Sequence, residues 1–171
     1  MDYFELFGMP VSLKVNKAYN VKKYYELSKE FHPDHFSLDN SNAQEKALMM
    51  SSEINKAKKI LDHADQRLAY YLTTNNILNT EEKQVLPPQF LGEMMDINEQ
   101  LMELEFDKDA SQLAAIQLAV VEKETLIYEE VAVFFEMDEL QITDSDKQKL
   151  KDYYYKKKYL NRILERLNEM M

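Results

Sequence analysis

Residues 29–61 read KEFHPDHFSLDNSNAQEKALMMSSEINKAKKIL and predict two helices separated by a sharp stop. Pro33 ends the first helix, because proline has no backbone N–H and its ring clashes with the preceding helical turn. Beyond the stop, apolar residues recur at alternating intervals of three and four, the period of one helix face. These residues are Ala47, Met50, Ile54, Ala57 and Leu61. The stretch therefore predicts a helical hairpin with His32-Pro33-Asp34 between its arms.

The remainder of the first 75 residues completes a small helical domain. We expect a short apolar turn at residues 2–7, the first arm of the hairpin at 16–31 and a short closing helix at 65–72. Four residues of the first arm have the spacing of a buried helix face. They are Val21, Tyr24, Leu27 and Phe31.

The second half of the chain predicts three longer helices, at residues 89–105, 110–136 and 145–170. The connections between them are short, so neighbouring helices are expected to be antiparallel. The consecutive prolines Pro87 and Pro88 block helix continuation and mark a junction. We therefore predict an all-α chain with a first domain at 1–75, a linker at 76–88 and a three-helix bundle at 89–171.

Charge is distributed unevenly between the two halves. The 171 residues include 21 basic and 31 acidic side chains, for a net charge of -10. Residues 1–75 hold 10 of each sign, whereas residues 76–171 hold 11 basic and 21 acidic side chains. A chain this acidic is a poor general ligand for nucleic acid, because phosphate binding depends on lysine and arginine.

Composition also excludes several kinds of site. The absence of cysteine excludes disulfides, thiolate metal sites and a cysteine nucleophile, and two glycines are too few for a phosphate-cradling loop. The beginning, MDYFELFGMP, has no basic leader, and no apolar run approaches membrane-spanning length. We expect a cytoplasmic protein with no membrane partner, no metal and no cofactor.

The tripeptide His32-Pro33-Asp34 is the clearest candidate for a functional site. It has a simple alternative, in which Pro33 stops a helix, Asp34 satisfies loop amides and His32 titrates in solvent. A functional interpretation is equally physical. Pro33 makes the loop rigid, Asp34 accepts hydrogen bonds from a cationic partner, and His32 offers both a donor and an acceptor.

A lysine-bearing helix, the HPD tripeptide and a helix containing INKAKKIL (residues 54–61) together resemble the J-domain, which stimulates ATP hydrolysis by DnaK-like chaperones. The resemblance implies that His32, Pro33 and Asp34 engage the chaperone. It also implies a basic docking face. That face comprises Lys22, Lys23 and Lys29. The alternative for these lysines is a solvated mixed-charge face with pairs such as Lys22 with Glu26.

Two further segments narrow the resemblance to the HscB (Hsc20) family. RLAYYL at 67–72 is similar to the RAEYLL signature of that family, and QFLGEMMDINE at 89–99 is similar to its FLMEQMELRE segment. The chain has no Gly/Phe-rich linker and no CxxCxGxG repeat of the kind found in general J-proteins. The resemblance implies a co-chaperone of iron–sulfur cluster assembly, with the chaperone HscA and the cluster scaffold IscU as partners.

By the same resemblance, the bundle binds the scaffold through an apolar patch with acidic neighbours. Matching the segments position by position assigns the patch to Leu91, Gly92, Met95, Asp96, Glu99 and Tyr159. A spacing of four residues places the members from 91 to 99 on one side of a helix. The alternative is that Leu91 and Met95 belong to the bundle core, since an apolar stripe is usually buried.

Three residues depart from the family pattern. Lys58 stands where an aromatic residue often follows the Ile-Asn-x-Ala run, and His35 stands where Lys or Arg usually follows the HPD tripeptide. Gly92 stands where the family commonly has Met. The first two bear on affinity for the chaperone. Gly92 removes a side chain from the patch and costs the helix about 1 kcal/mol of propensity.

We therefore expect a monomeric adaptor without catalytic residues rather than an enzyme. The nearest alternative function is a J-domain co-chaperone for a different client protein. A more distant alternative is a nucleic-acid-associated helical protein that uses the lysine-rich helices. The Tyr and Lys run at 153–158 suggests base stacking, but it is more simply a helix whose tyrosines pack and whose lysines offset the acidic bundle. The net charge argues against that second alternative.

Overall fold

The computed structural model describes residues 1–36, 41–79, 85–106 and 109–171. Within these ranges the chain is helical and contains no strand, so the prediction of an all-α fold is confirmed. The α-helices are α1 (Tyr3–Leu6), α2 (Lys17–Glu30), α3 (Ser41–Asp62), α4 (Ala64–Thr74), α5 (Pro88–Leu104), α6 (Ala110–Glu129) and α7 (Asp144–Met170). Short 3₁₀ helices cover Pro33–Phe36, Ala132–Phe135 and Glu139–Gln141.

The chain divides into two compact units. The first contains residues 1–75 together with 136–141, and the second contains residues 76–135 and 142–171. The short segment 136–141 belongs to the first unit, where the Tyr71 hydroxyl donates a 2.6 Å hydrogen bond to Glu139 Oε2. Burial and the neighbouring carboxylate both raise the pKa of Tyr71, so its hydroxyl remains a donor at neutral pH.

The first unit is built on the hairpin of α2 and α3. Two aromatic residues at the beginning of the chain, Phe4 and Phe7, are fully buried against it. The cluster that they join is Phe4, Phe7, Leu27, Ile54, Ala57 and Leu61. Asn16 caps α2 by accepting a hydrogen bond from the Tyr19 amide, which places the helix start one residue after the predicted position.

One expectation about α2 is wrong. Val21 was predicted on the buried side but is exposed, whereas Asn20 is fully buried. The buried and half-buried residues Asn20, Tyr24, Leu27 and Phe31 are spaced by four, three and four, and this spacing follows the helix period more closely than one that begins at Val21. The polar residue Asn20 therefore occupies the buried helix position that the sequence pattern predicted for Val21.

Arg67 on α4 ties together parts of the first unit that are distant in sequence. Its Nε donates to the Leu13 carbonyl at 3.0 Å, and its Nη1 donates to the Leu61 carbonyl at 2.6 Å. Burial lowers the pKa of Arg67, an effect that nearby Asp62 partly offsets. The guanidinium stays charged, because the ordinary pKa of arginine lies far above neutral. Charged donors make the stronger class of hydrogen bond, so this link fixes α4 against the end of α3.

The second unit is a three-helix bundle of α5, α6 and α7. Each helix contributes one buried apolar face: Phe90, Met94, Leu101 and Leu104 from α5, Leu113, Ile116, Val120 and Ile127 from α6, and Leu150, Tyr153, Leu160, Ile163 and Leu167 from α7. Ion pairs join Glu93 to Lys123 and Glu124 to Lys157. Both pairs offset part of the acidic charge of this half.

The ends of the bundle helices follow from local chemistry. Pro88 stands at the first turn of α5, where the missing N–H costs nothing. Thr143 and Asp146 form a reciprocal capping box at the start of α7. Helix α6 ends at Glu129 rather than at the predicted residue 136, because the chain tightens into the 3₁₀ helix Ala132–Phe135 and buries Phe134. Within the described ranges, no helix combines the length and apolarity needed to cross a membrane.

The buried amide of Asn20 yields a prediction about stability. Neither its side-chain nitrogen nor its oxygen makes a hydrogen bond with any described residue. An unsatisfied buried polar group costs about 1–3 kcal/mol. Asn20→Leu keeps the branching and removes the polar atoms, so we expect it to raise the free energy of opening of α2 and α3 by about 1 kcal/mol. Hydrogen exchange of their amides in the full chain measures this.

Asn16→Ala is the matched control on the same helix. It removes the cap of α2 and is expected to lower the same free energy by about 1 kcal/mol. Reduced protection in Asn20→Leu would contradict the assignment of Asn20 as an unsatisfied group.

Candidate functional site

The His32-Pro33-Asp34 tip lies at the surface of the first unit. Pro33 begins a 3₁₀ helix directly after the end of α2, and His32 and Asp34 are both exposed, Asp34 to 87%. The Asp34 amide donates a 3.3 Å hydrogen bond to His32 Nδ1, and the His35 amide donates to the His32 carbonyl at 3.0 Å. These local bonds hold the tripeptide in a single tight turn that presents its side chains outward.

A shallow groove of about 450 Å³ runs beside this tip. Side chains from α2 and from the tip line it: Tyr25, Ser28, Lys29, His32, Asp34 and His35. Lys29 is exposed and lines this groove beside the tripeptide. The structure therefore brings Lys29 together with His32 and Asp34, as the predicted site requires.

The other two predicted lysines lie farther along α2. Lys22 Nζ is 4.0 Å from Glu26 Oε1, and Lys23 Nζ is 3.8 Å from Glu26 Oε2. Lys22 lies seven residues before Lys29, two helical turns away on the same face, whereas Lys23 is half-buried beside Gly8. The pair of Lys22 with Glu26 is the mixed-charge arrangement weighed from the sequence.

Tyr25 is a residue that sequence reasoning missed. Its side chain is exposed and lines the groove next to Lys29. A signal existed in the spacing, because residue 25 precedes Lys29 by four and His32 by seven, which places all three on one face.

Five of the six predicted scaffold-binding residues lie on the outward side of α5. Leu91 and Met95 are exposed, Met95 to 61%, as are Gly92, Asp96 and Glu99. The opposite side of the helix fills the core with Phe90 and Met94. The structure thus places Leu91 and Met95 outside the core, contrary to the alternative weighed from the sequence.

Tyr159 of α7 joins this surface through Asn98. The Asn98 side-chain amide donates to Tyr159 Oη at 3.3 Å and to the Met94 carbonyl at 2.9 Å. The Tyr159 ring meets Phe90 edge-on at 6.2 Å, and the Arg162 guanidinium lies 5.1 Å from the ring centre. Tyr159 is therefore held beside the turn of α5 that follows Met95, although 61 residues separate it from Asn98 in sequence.

Helix α5 is acidic along its exposed side. Its sequence contains no lysine, arginine or histidine, and Asp96, Glu99 and Glu103 are all exposed. Among the described residues, no group of three or more His, Asp or Glu side chains is placed to hold a metal ion. The arrangement is that of an apolar surface with a carboxylate margin, which suits a protein partner.

Several known proteins are similar to this chain over most of its length. A family model described as the HSCB C-terminal oligomerisation domain matches residues 86–168. The co-chaperone protein HscB of Proteus mirabilis is 30% identical over 169 residues, covering 98% of both chains. The HscB homologue of Vibrio vulnificus is 33% identical over 122 residues, covering 70% of this chain and 71% of its own.

Two solved structures share the fold. The human co-chaperone HscB matches with a TM-score of 0.77 and 27% identity, over 98% of this chain and 81% of its own. The chaperone HscB from Vibrio cholerae matches with a TM-score of 0.70 and 23% identity, over 99% of this chain and 96% of its own. The likeness in fold therefore extends through both units.

Gly92 yields a prediction specific to the α5 surface. No atom lies within 4 Å of a β-carbon built at this position. Gly92→Ala therefore adds helix propensity without a clash, and we expect it to stabilise the bundle by about 0.5–1 kcal/mol. Urea unfolding of the full chain, followed by circular dichroism, measures the change.

The matched control is the other glycine of the chain. Gly8 has a φ of +65°, and a β-carbon there lies 3.4 Å from Tyr19 Oη, so Gly8→Ala is expected to destabilise the first unit. A destabilised Gly92→Ala variant would contradict the open surroundings of this site.

Proposed function

We propose that this chain, which belongs to the HscB family of co-chaperones, stimulates the ATPase of an HscA-type chaperone and delivers an IscU-type iron–sulfur scaffold to it. A co-chaperone has a chaperone as its partner. The proposal names the type of chaperone and the type of client protein. The observation that carries it is the exposed His32-Pro33-Asp34 tip with Lys29 beside it. No catalytic residue and no cofactor is needed in this chain for either role.

At the His32-Pro33-Asp34 tip, the proposed contact with the chaperone depends on charge and on the rigid shape of the turn. The tip is rigid because Pro33 fixes its backbone and two local amide bonds close the turn. A rigid tip loses little conformational entropy on binding. Asp34 offers a carboxylate to a cationic group of the chaperone, and Lys22 and Lys29 offer positive charge to an acidic one. Lys23 has a smaller part, since its side chain is half-buried.

At the second surface, the proposed contact is apolar with a charged margin. Leu91 and Met95 supply the apolar area, and Met side chains adapt their shape to a partner. Asp96 and Glu99 supply carboxylates along one side, while Tyr159 contributes an aromatic ring from α7. Gly92 leaves the surface flatter than the methionine usual in the family would.

The two-surface design accounts for function without chemistry in this chain. Holding the chaperone and the scaffold on one chain makes their second encounter intramolecular and raises their effective concentration. ATP hydrolysis is then coupled to capture of that scaffold. We place this adaptor in the cytoplasm as a monomer, with no nucleic-acid or membrane partner. A J-domain co-chaperone for a different client is the alternative outcome of the binding test below.

The first test concerns the tip. His32→Gln should reduce the stimulation of steady-state ATP hydrolysis by a purified HscA-type chaperone to near the basal rate, because glutamine cannot reproduce the imidazole geometry at the tip. His63→Gln is the matched control, since His63 lies in the first unit at the start of α4 and remote in sequence from the tip. Full stimulation by His32→Gln would overturn the chaperone-binding assignment.

The second test concerns the bundle. Met95→Ala combined with Glu99→Ala should raise the dissociation constant for the IscU-type scaffold about tenfold or more, since buried apolar anchors dominate such interfaces. Leu118→Ala with Glu122→Ala on α6 is the matched control, because both residues are exposed and have the same spacing of four. An unchanged dissociation constant with native circular dichroism would reject the patch. Failure of the unaltered chain to bind the scaffold would favour a different client.

A further inference from the structure

The apolar face of α5 continues beyond the residues assigned above. Met102 is 59% exposed and Phe106, just past the end of the helix, is 94% exposed. Leu91, Met95, Met102 and Phe106 are separated by four, seven and four residues, which is the repeat of a single side of a helix. We call these four residues the α5 strip.

The α5 strip is distinct from the side of α5 that builds the bundle. The core side consists of Phe90, Met94, Leu101 and Leu104, all buried. Single exposed apolar residues are ordinary on a protein surface, but here two exposed apolar pairs, Leu91 with Met95 and Met102 with Phe106, lie on one side of α5, with Asn98 between the pairs. Eleven residues of helical rise separate Leu91 from Met102 by about 16 Å, compared with about 12 Å from Leu91 to Glu99, and Phe106 lies just beyond the end of the helix.

The two margins of the α5 strip differ in charge. One margin carries Asp96, Glu99 and Glu103, which are exposed carboxylates at spacings of three and four. The other margin is tied to α7, because Arg166 bonds to Glu105 and to Asn98 Oδ1, and Asn98 in turn bonds to Tyr159. The Arg166 charge is thereby paired with a carboxylate next to Phe106, and the open margin is acidic throughout.

This geometry specifies the chemistry of a binding partner. An apolar track attracts a partner with a matching apolar ridge, and one acidic margin attracts lysine or arginine along one side of that ridge. The acidic margin fixes the direction in which the partner lies along the helix, because a reversed partner would move its basic side chains away from Glu99 and Glu103. The acidic margin also disfavours a second copy of this acidic chain at the same track.

We propose that the whole α5 strip, from Leu91 to Phe106, binds the scaffold. Met102 and Phe106, which form the second half of the strip, are then specificity-determining contacts. The scaffold surface that fits is an apolar ridge with basic side chains facing Glu99 and Glu103. This inference rests on the proposed function, since the occupant is the same scaffold. It extends the contact by about two helical turns beyond the patch matched from the family segment, which ends at Glu99.

Isothermal titration of the full chain with a purified IscU-type scaffold tests the inference. Met102→Ala and Phe106→Ala are each expected to raise the dissociation constant severalfold, and the double variant about tenfold or more. Leu118→Ala is the matched control for Met102, because Leu118 is 60% exposed on α6. Leu140→Ala is the control for Phe106, because Leu140 is fully exposed outside the bundle unit. Neither control should change the affinity by more than about twofold.

A second measurement identifies the contact directly. With ¹³C-methyl methionine labelling, the signals of Met95 and Met102 should both shift when scaffold is added, while that of Met49, exposed on α3, should not. Glu103→Lys should weaken binding more than Glu103→Gln does, because it places a positive charge opposite the expected basic side chains.

The outcomes separate the inference from the proposed function. If Met95→Ala with Glu99→Ala weakens binding while Met102→Ala with Phe106→Ala behaves like the controls, the inference is overturned and the proposed function stands. If both double variants weaken binding and the Met102 signal shifts, the inference is supported. If the unaltered chain does not bind the scaffold, the proposed function and the inference both fail.

Discussion

The absence of a backbone N–H at Pro33 is the constraint on which the first unit depends. It ends α2 after Glu30, so the chain turns through a 3₁₀ helix before α3 begins. The turn allows α2 and α3 to bury Leu27, Ile54 and Leu61 against the two phenylalanines of the N-terminal segment. The same turn leaves His32 and Asp34 at the surface, so one local restriction forms the core and presents the candidate site.

In the bundle, a single helix performs two tasks on opposite sides. The inward side of α5 is fully apolar and packs with α6 and α7, whereas the outward side carries Leu91, Met95, Met102 and Phe106 beside carboxylates. Because α5 has no basic residue, its outward charge is uniform. Contacts from α7 through Asn98 and Glu105 hold one margin in place. The surface therefore rests on a rigid element, as a docking surface should.

Much of this architecture could be predicted from local rules. Prolines at 33, 87 and 88 marked the breaks, and the spacing of Ile54, Ala57 and Leu61 marked a buried face, because helix period and proline sterics act within a few residues. Two predictions failed where the packing of the folded chain decided which residues are buried. Val21 lost its buried slot to Asn20, and α6 ended seven residues early to bury Phe134 in a 3₁₀ helix. The helix period places Asn20 in line with Tyr24 and Leu27, but hydropathy favours valine over asparagine at a buried position.

The sequence by itself determined the helical class, the breaks between helices and the residues of the HPD tip, since these follow from composition, periodicity and the chemistry of proline. Only the tertiary structure decided that Leu91 and Met95 face outward, that Tyr159 reaches α5 through Asn98, and that Tyr25 lines the groove beside Lys29. The sequence pattern of an apolar stripe is the same whether the stripe packs in a core or binds a partner. The difference lies in which side of the helix its neighbours cover, and packing alone settles that.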